Sequence, residues 1–177
     1  MTDRQAEAPS PRARQIVAAA RQLVEEEGLE ALSMRRLADR LGIRAPSIYK
    51  HLPDKAALEA ALISATFDEQ AALFEAALVG AADPLAALAM AYREFARQHP
   101  QLYRLMTERR LDRERLSAGV EERAARPIIQ AVGGDPDLAR AVWAFAHGMT
   151  ILELNDRFPP NADLDAAWHR GLRALRP

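Results

Sequence analysis

The segment SMRRLADRLGIRAPSIYKHLPDKAALEAAL, residues 33–62, joins short helical runs through turn-forming residues. Ser33 is placed to cap a short helix that Gly42 ends, because glycine readily adopts the left-handed conformation beyond a helix C-terminus. A second short helix follows and ends near Leu52, since a residue that precedes proline disfavours the helical conformation. Asp54 then caps a longer helix. The segment therefore predicts two short helices at a tight turn, followed by a long helix.

The second short helix is unusually rich in polar side chains. So short a helix is not stable alone, because nucleation is costly, and Ile43 and Ile48 can hold it against the preceding helix. The other side chains cannot all be buried with them. This outward-facing set comprises Arg44, Ser47, Tyr49, Lys50 and His51. Two helices joined by a glycine-containing turn, the second exposing hydrogen-bonding groups, are typical of the helix-turn-helix that enters a DNA major groove.

The charge of the chain is distributed unevenly. The net charge is −1, so a surface that binds nucleic acid must be local. Residues 31–55 contain six Arg or Lys and two Asp side chains, a local charge of +4 that leaves −5 for the rest of the chain. This pattern favours contact with an anion near the N-terminus, although a solvated charged face would give a similar pattern.

The remaining sequence also has the periodicity of helices, and strand signals are missing. We predict an all-α fold of about nine helices, made of an N-terminal three-helix domain and a C-terminal helical domain. Residues 1–11 are expected to form a disordered tail, residues 12–58 the helix-turn-helix domain, and residues 59–177 the C-terminal domain. Aspartate or proline signals place later helices at 84–98, about 136–156 and about 163–175, and a further helix, kinked at Pro127, is expected over roughly 110–132.

Several functional classes are not supported by the sequence. The chain has no cysteine, no apolar signal segment and no long apolar run, so a cytoplasmic protein is expected. Phosphate-binding glycine loops, nucleophile elbows and HExxH motifs are missing. We therefore predict no enzymatic activity, no catalytic residue, no cofactor and no metal site. The alternative to a DNA-binding regulator is a helical interaction module, or a small-molecule-binding protein without sequence-specific DNA binding.

The segment 33–62 resembles the N-terminal DNA-binding domain of the TetR family of transcriptional repressors. The resemblance is carried by Leu37–Ala38, Leu41–Gly42–Ile43, Ser47–Ile48–Tyr49, His51, Lys55 and Leu58. By position it implies DNA contacts from Arg35, Pro46, Ser47, Tyr49, Lys50, His51 and Lys55. Arg44 is added on its charge at the start of the recognition helix. Leu52 departs from the phenylalanine often found there, which affects packing more than DNA chemistry.

A second stretch, AVWAFAHGMTILELN at residues 141–155, resembles the W-x-x-x-H-G signature of one class of TetR-family C-terminal domain. The resemblance implies a small-molecule pocket and a four-helix dimer interface. Candidate pocket residues are Tyr92, Phe95, His99, Leu102, Tyr103, Met106, Trp143 and His147, for each of which ordinary core packing is the alternative. Residues 136–156 and 163–175 would form the homodimer, through Leu138, Val142, Phe145, Met149, Leu152, Leu164, Trp168, Leu172 and Leu175.

Together these features predict a ligand-responsive transcriptional regulator. The resemblance implies a repressor that binds a near-palindromic double-stranded DNA operator as a homodimer. A small-molecule effector of unidentified structure would release it.

Overall fold

The computed structural model describes residues 10–176, where α-helices and two short 3₁₀ turns are the only regular elements. The α-helices are α1 (Pro11–Glu27), α2 (Met34–Leu41), α3 (Ala45–Tyr49), α4 (Lys55–Leu78), α5 (Pro84–Gln98), α6 (Pro100–Thr107), α7 (Val120–Ala131), α8 (Pro136–Leu154) and α9 (Leu164–Ala174). The 3₁₀ turns are Leu29–Ala31 and Arg113–Arg115. The prediction of an all-α fold is confirmed.

Helix starts lie where the sequence supplies a capping side chain. Asp83 accepts a hydrogen bond from the Ala86 N–H at 3.1 Å, and Asp163 accepts one from Ala166 at 2.9 Å. Asp135 accepts bonds from two N–H groups at the start of α8. Each cap satisfies N–H groups that have no partner within the helix, which is why these boundaries follow from local sequence.

Two predicted boundaries are wrong. The helix expected from about residue 110 begins only at Val120, because Gly119 has a positive φ of 69° and a helix cannot continue through that conformation. The N–H of Ser117 instead donates to the hydroxyl of Ser64 at 3.0 Å, a tertiary contact that no local sequence pattern predicts. The recognition helix α3 also ends earlier than expected, at Tyr49.

The predicted N-terminal tail covers residues 1–11, of which 1–9 lie outside the described residues. The prediction is wrong for the last two. Ser10 caps α1 by accepting a hydrogen bond from the Ala13 N–H at 3.1 Å, and Pro11 is the first residue of the helix. Proline suits this position because its missing N–H would have no partner there.

The chain divides into two compact units. Unit 1 contains residues 10–67 and 101–120, and unit 2 contains residues 68–100 and 121–176. The side chains that are almost fully buried in unit 1 include Ile16, Leu23, Leu37, Ile48, Leu58, Leu102 and Tyr103. Those in unit 2 include Phe74, Leu88, Phe95 and Trp168. The predicted domain boundary at residue 58 stays a prediction, since packing alone does not report which part folds by itself.

None of the helices within residues 10–176 has the length and apolar character that crossing a membrane would need.

Candidate functional site

The turn between α2 and α3 is fixed by backbone hydrogen bonds. Gly42 adopts the left-handed conformation, with φ of 63° and ψ of 31°, and its N–H bonds the carbonyl of Asp39 at 3.1 Å. The N–H of Ile43 bonds the Ala38 carbonyl at 3.0 Å. A side chain at position 42 would be strained in this conformation. The glycine therefore sets the direction in which α3 leaves α2.

Helix α3 is held by a single buried anchor. Ile48 has no exposed surface, whereas its neighbour Tyr49 is 48% exposed. Leu52, just beyond the helix, is also buried. The predicted outward-facing set is thus exposed as expected, because the apolar residues of this segment are the ones that pack inward.

All eight side chains predicted to contact DNA are exposed. Arg35 lies on α2, and Lys55 is the first residue of α4. The others lie on or beside α3 and are Arg44, Pro46, Ser47, Tyr49, Lys50 and His51. Their assignment to DNA remains a prediction, but the structure brings them to the surface of the two short helices and the start of α4.

The basic residues of this region fall into two groups. Arg40 on α2 bonds Glu26 of α1 at 2.7 Å, and Arg36 hydrogen-bonds Glu27. In contrast, Arg35, Arg44 and Lys50 form no ion pair within residues 10–176. The first group holds α2 against α1. The second group leaves three positive charges available to an anion from solution.

The start of α4 carries a cap and a cation side by side. Asp54 accepts a hydrogen bond from the Ala57 N–H at 2.7 Å and two from the Arg115 guanidinium at 3.1 Å. The Ala57 N–H first, and then Arg115, hold the pKa of Asp54 below its usual value. Lys55 lies 3.7 Å from Glu59 and is half exposed, which leaves it able to reach a phosphate. Arg115 has no local sequence signal, because its partner lies 61 residues away.

His51 contacts the beginning of α1. Its Nδ1 lies 3.4 Å from the hydroxyl oxygen of Ser10, the residue that caps that helix. The end of the recognition segment is therefore attached to both α1 and the core beneath Leu52.

A small cavity lies within unit 2, between α4, α5, α7 and α8. Its volume of about 20 Å³ is the space available to the centre of a water molecule. The lining residues are Phe74, Leu85, Leu88, Ala89, Tyr92, Ile128, Val142, Trp143 and Ala146. Tyr92 and Trp143 are both predicted pocket residues, and they lie together here.

The other candidate pocket residues have different surroundings. His147 stacks on Trp143 with ring centroids 5.9 Å apart, and the rings of Phe95 and His99 are 5.2 Å apart. Three more candidates belong to unit 1 and are buried there, namely Leu102, Tyr103 and Met106.

A charged cluster that no sequence pattern predicted joins α5, α8 and α9. Arg93 donates to Glu153 at 2.9 Å and to Asp165 at 2.5 Å, while the Trp168 indole N–H donates to Glu153 at 2.5 Å. The hydrogen bond from Arg93 lowers the pKa of Asp165. The pKa of Arg93 is raised because these bonds outweigh its partial burial. One available signal was Glu153 within the apolar run of residues 149–154.

The residues predicted to form the dimer interface do not all face outward. Val142, Trp168 and Leu172 are buried inside their own chain, so their assignment to the interface is wrong. Trp168 packs edge-on against Phe145 of α8, with ring centroids 5.6 Å apart. Leu152, in contrast, is 40% exposed. The error arose because helical periodicity marks apolar faces without telling which of two faces meets the chain's own core.

A helix-turn-helix followed by a helical domain with an apolar cavity is the architecture of a ligand-responsive DNA-binding regulator. Residues 85–175 match the family described as "Tetracyclin repressor-like, C-terminal domain", and residues 16–62 match "Bacterial regulatory proteins, tetR family". The first match alone spans more than half of the chain. The chain belongs to the TetR family of bacterial transcriptional regulators.

Individual relatives agree with this assignment. The chain is 29% identical over 150 residues to the uncharacterized HTH-type transcriptional regulator Rv0681 of Mycobacterium tuberculosis, covering 78% of this chain and 68% of that protein. A protein of unknown function from Rhodococcus sp. RHA1 superposes with a TM-score of 0.73 at 27% identity, over 99% and 100% of the two chains. A TetR variant from Acinetobacter baumannii AYE, in complex with minocycline, gives a TM-score of 0.62 at 28% identity, over 92% of each chain.

The predictions of a TetR-family protein and of a DNA-binding transcriptional regulator are therefore confirmed. The narrower assignment to the W-x-x-x-H-G class stays a prediction.

Proposed function

We propose that this regulator is a repressor that binds a near-palindromic operator as a homodimer and dissociates when a small-molecule effector binds. The observation that carries the proposal is the division of charge on the helix-turn-helix. Arg36 and Arg40 form ion pairs with glutamates of α1. In contrast, Arg35, Arg44 and Lys50 have no ion pair within residues 10–176. Exposed cations without partners are what binding to a polyanion requires.

The proposed roles follow from side-chain chemistry. Arg44 and Lys50 can donate to the N7 and O6 acceptors of guanine, and the Tyr49 hydroxyl can serve a base edge or a phosphate. Pro46 offers apolar contact to a thymine methyl group. The remaining members of the set would contact the DNA phosphates and fix the position of the protein along the duplex, namely Arg35, Ser47, His51 and Lys55.

Dimerisation is proposed through α8 and α9. Ala141, Ala144, Gly148 and Leu152 recur every three or four residues along α8, and none of them is buried within the chain. A Cβ atom added to Gly148 would meet nothing within 4 Å of its own chain. An uncharged face with small residues lets a second helix approach closely, and a two-fold axis would pair this face with itself.

In such a dimer the two α3 helices would enter successive major grooves about 34 Å apart. An operator with two inverted half-sites would match this symmetry, and occupancy would block transcription. The proposed role needs no catalytic chemistry and places the protein in the cytoplasm with the DNA.

The effector is proposed to bind in unit 2, at the cavity lined by Phe74, Tyr92 and Trp143. Its lining contains no carboxylate, ammonium or guanidinium group. The complex of a relative with minocycline supports a small-molecule ligand for this part of the family. Helix α4 carries Lys55 at its start and Phe74 near its end, so an effector that displaces this helix would change DNA affinity. A coupling of about 1–3 kcal/mol would be typical.

The test is selection of bound sequences from a random duplex library by the purified full chain, at moderate salt. Enrichment of an inverted repeat is expected, with an affinity that falls linearly with salt on logarithmic axes. Enrichment of a single half-site would contradict the dimer. Weak retention without any enriched motif would contradict sequence-specific recognition by α3.

A further inference from the structure

Two buried polar atoms of unit 2 have no hydrogen-bond partner within residues 10–176. They are the amide nitrogen Nε2 of Gln70 on α4 and the hydroxyl oxygen Oγ1 of Thr150 on α8. Gln70 is 5% exposed and Thr150 is 1% exposed, so solvent does not satisfy them. A buried donor without a partner is costly, and native proteins contain few of them.

The absence of a partner for Thr150 stands out beside the other helical hydroxyls of this chain. Ser64, Thr66 and Thr107 each donate to the carbonyl four residues earlier, at 2.8 Å. This local bond is the usual solution for a hydroxyl group inside a helix. Thr150 lies within α8 and could satisfy itself in the same way, yet its hydroxyl does not.

Both side chains lie one helical turn from residues that line the cavity. Gln70 precedes Phe74 by four residues on α4, and Thr150 follows Ala146 by four residues on α8. Residues four apart share a helix face and are separated by about 6 Å along its axis. The two polar groups therefore continue the two faces that bound the cavity.

The helix directions place both groups at the same end of the cavity. Helices α5 and α8 run the same way, since Leu88 and Ala146 share the cavity while Arg93 bonds Glu153 further along both helices. Residues 79–83 join α4 to α5, and the rings of Phe74 and Tyr92, on either side of this loop, have centroids 6.4 Å apart, so α4 runs back along α5. Lower residue numbers on α4 thus correspond to higher numbers on α5 and α8, so Gln70 and Thr150 both lie toward the end of the cavity where Arg93 bonds Glu153.

We infer that Gln70 and Thr150 form the polar end of the effector site, and that the effector is a neutral, flat, largely apolar compound with a hydrogen-bond acceptor such as a carbonyl at one end. This inference rests on the proposed function and specifies its ligand. The amide nitrogen of Gln70 can only donate, and the Thr150 hydroxyl can donate to the same group, so the two together favour an acceptor on the ligand. The aromatic rings of Phe74, Tyr92 and Trp143 favour a planar body.

The charges nearest to this end also favour a neutral ligand. Arg93 bonds Glu153 at 2.9 Å and Asp165 at 2.5 Å, so these charged groups are already paired with one another and none is left as a counter-ion for a ligand. A charged ligand would lose its hydration without gaining a counter-ion.

The cavity must widen to admit such a compound. Its present volume of about 20 Å³ holds about one water molecule, far less than a drug-sized ligand occupies. Trp143 lines the cavity and is also 48% exposed, so its indole ring separates the cavity from solvent.

The first test needs no ligand. Replacing Thr150 by valine, or Gln70 by leucine, removes an unsatisfied buried donor and should raise the melting temperature of the full chain by about 2–4 °C. Thr66→Val is the matched control, because its hydroxyl donates at 2.8 Å and its loss should lower the melting temperature. A decrease for Thr150→Val like that of Thr66→Val would mean that the hydroxyl is already satisfied by a bound water, and would overturn the inference.

The second test uses Nile red, a neutral planar dye with a carbonyl acceptor, and pyrene, a planar hydrocarbon without one. In fluorescence titrations of the full chain, Thr150→Val and Gln70→Leu should each lower the affinity for Nile red about fivefold or more. The affinity for pyrene should be unchanged. Equal affinity of wild type and variants for Nile red, or no binding by wild type, would overturn the ligand class.

These outcomes are separable from those of the proposed function, because the dye is titrated without DNA. If an operator is selected but the variants bind the dye as wild type does, the proposed repressor function is supported and the role of Gln70 and Thr150 in the effector site is contradicted. Dye binding that depends on both residues, without operator selection, would keep the site and overturn the repressor.

Discussion

Arg115 donates one hydrogen bond to each carboxylate oxygen of Asp54, both at 3.1 Å. Asp54 is at the same time the side chain that caps α4, and the next residue is Lys55, the proposed phosphate contact. The segment between α6 and α7 thus fixes the start of the helix from which Lys55 projects. Because both contacts lie within unit 1, this link belongs to the DNA-reading part of the chain.

Arg115→Ala should weaken operator binding although Arg115 has no proposed contact with DNA. Without its partner the Asp54 carboxylate is less constrained, and Lys55 at the start of α4 is less well positioned. We expect a loss of about two- to fivefold, the modest effect typical of an exposed ion pair. Fluorescence anisotropy with a labelled operator measures it.

Arg110→Ala is the matched control, since it removes the same charge from an exposed position that forms no ion pair within residues 10–176. It should leave affinity nearly unchanged. The slope of affinity against salt should be the same for both variants and wild type. A reduced slope for Arg115→Ala would instead indicate a direct phosphate contact.

The Asp54–Arg115 pair also predicts that the stability of the folded chain depends on pH. Bonds from the Ala57 N–H and Arg115 lower the pKa of Asp54 below 3.8, its usual value. A carboxylate whose pKa is lowered by folding stabilises the folded state fully above its unfolded pKa, and this stabilisation is lost as the pH falls through the lowered value. Thermal unfolding followed from pH 5 to pH 2, an interval of about three units around that usual value, should show a smaller decline for Asp54→Asn than for wild type. Parallel curves would contradict the role of the charge.

The proposed DNA contacts predict two kinds of variant. Lys55→Ala should weaken binding to every sequence and reduce the salt slope by about one, as expected when one phosphate contact is lost. Tyr49→Ala and Arg44→Ala should instead change which sequences are enriched, because their side chains are proposed to read base edges. An unchanged salt slope for Lys55→Ala would remove that residue from the interface.

Local chemistry explains which features could be predicted from the sequence. The caps Ser33, Asp83 and Asp135 and the turn at Gly42 act on neighbouring backbone groups, so the residues that cause them lie within four positions. The exposure of the DNA-reading set also followed, because Ile43 and Ile48 were the only apolar candidates to anchor α3.

Other features depend on residues far apart in the sequence. Arg93 and Glu153 are separated by 60 residues and Arg115 and Asp54 by 61, so no local pattern pairs them. The late start of α7 has a similar cause, since the Ser117 N–H bonds the hydroxyl of Ser64, 53 residues earlier in the chain. The buried faces of α8 and α9 were confused with the outward face because both are apolar.

The packing of α9 on α8 predicts that Gly171→Ala is destabilising. A Cβ atom at this position would overlap the ring of Phe145, a group whose movement is limited by its contact with Trp168. Overpacking of this kind costs about 1–3 kcal/mol, which chemical denaturation can measure. Combining it with Phe145→Leu should recover part of the loss, because the smaller side chain leaves room for the new methyl group. Equal losses in the single and double variants would show that the overlap is relieved elsewhere.

Gly148→Ala should have the opposite effect on the single chain and reveal the dimer face. Nothing in its own chain lies within 4 Å of the added Cβ, and alanine favours a helix over glycine by about 1 kcal/mol. The folded chain should therefore be as stable or more stable at a concentration where wild type is monomeric. If α8 approaches the partner subunit at this face, the added methyl group should raise the dissociation constant of the dimer about tenfold or more, since well-packed interfaces tolerate overpacking poorly. Sedimentation equilibrium of the two proteins measures this directly. An unchanged dissociation constant would place the dimer contact away from Gly148.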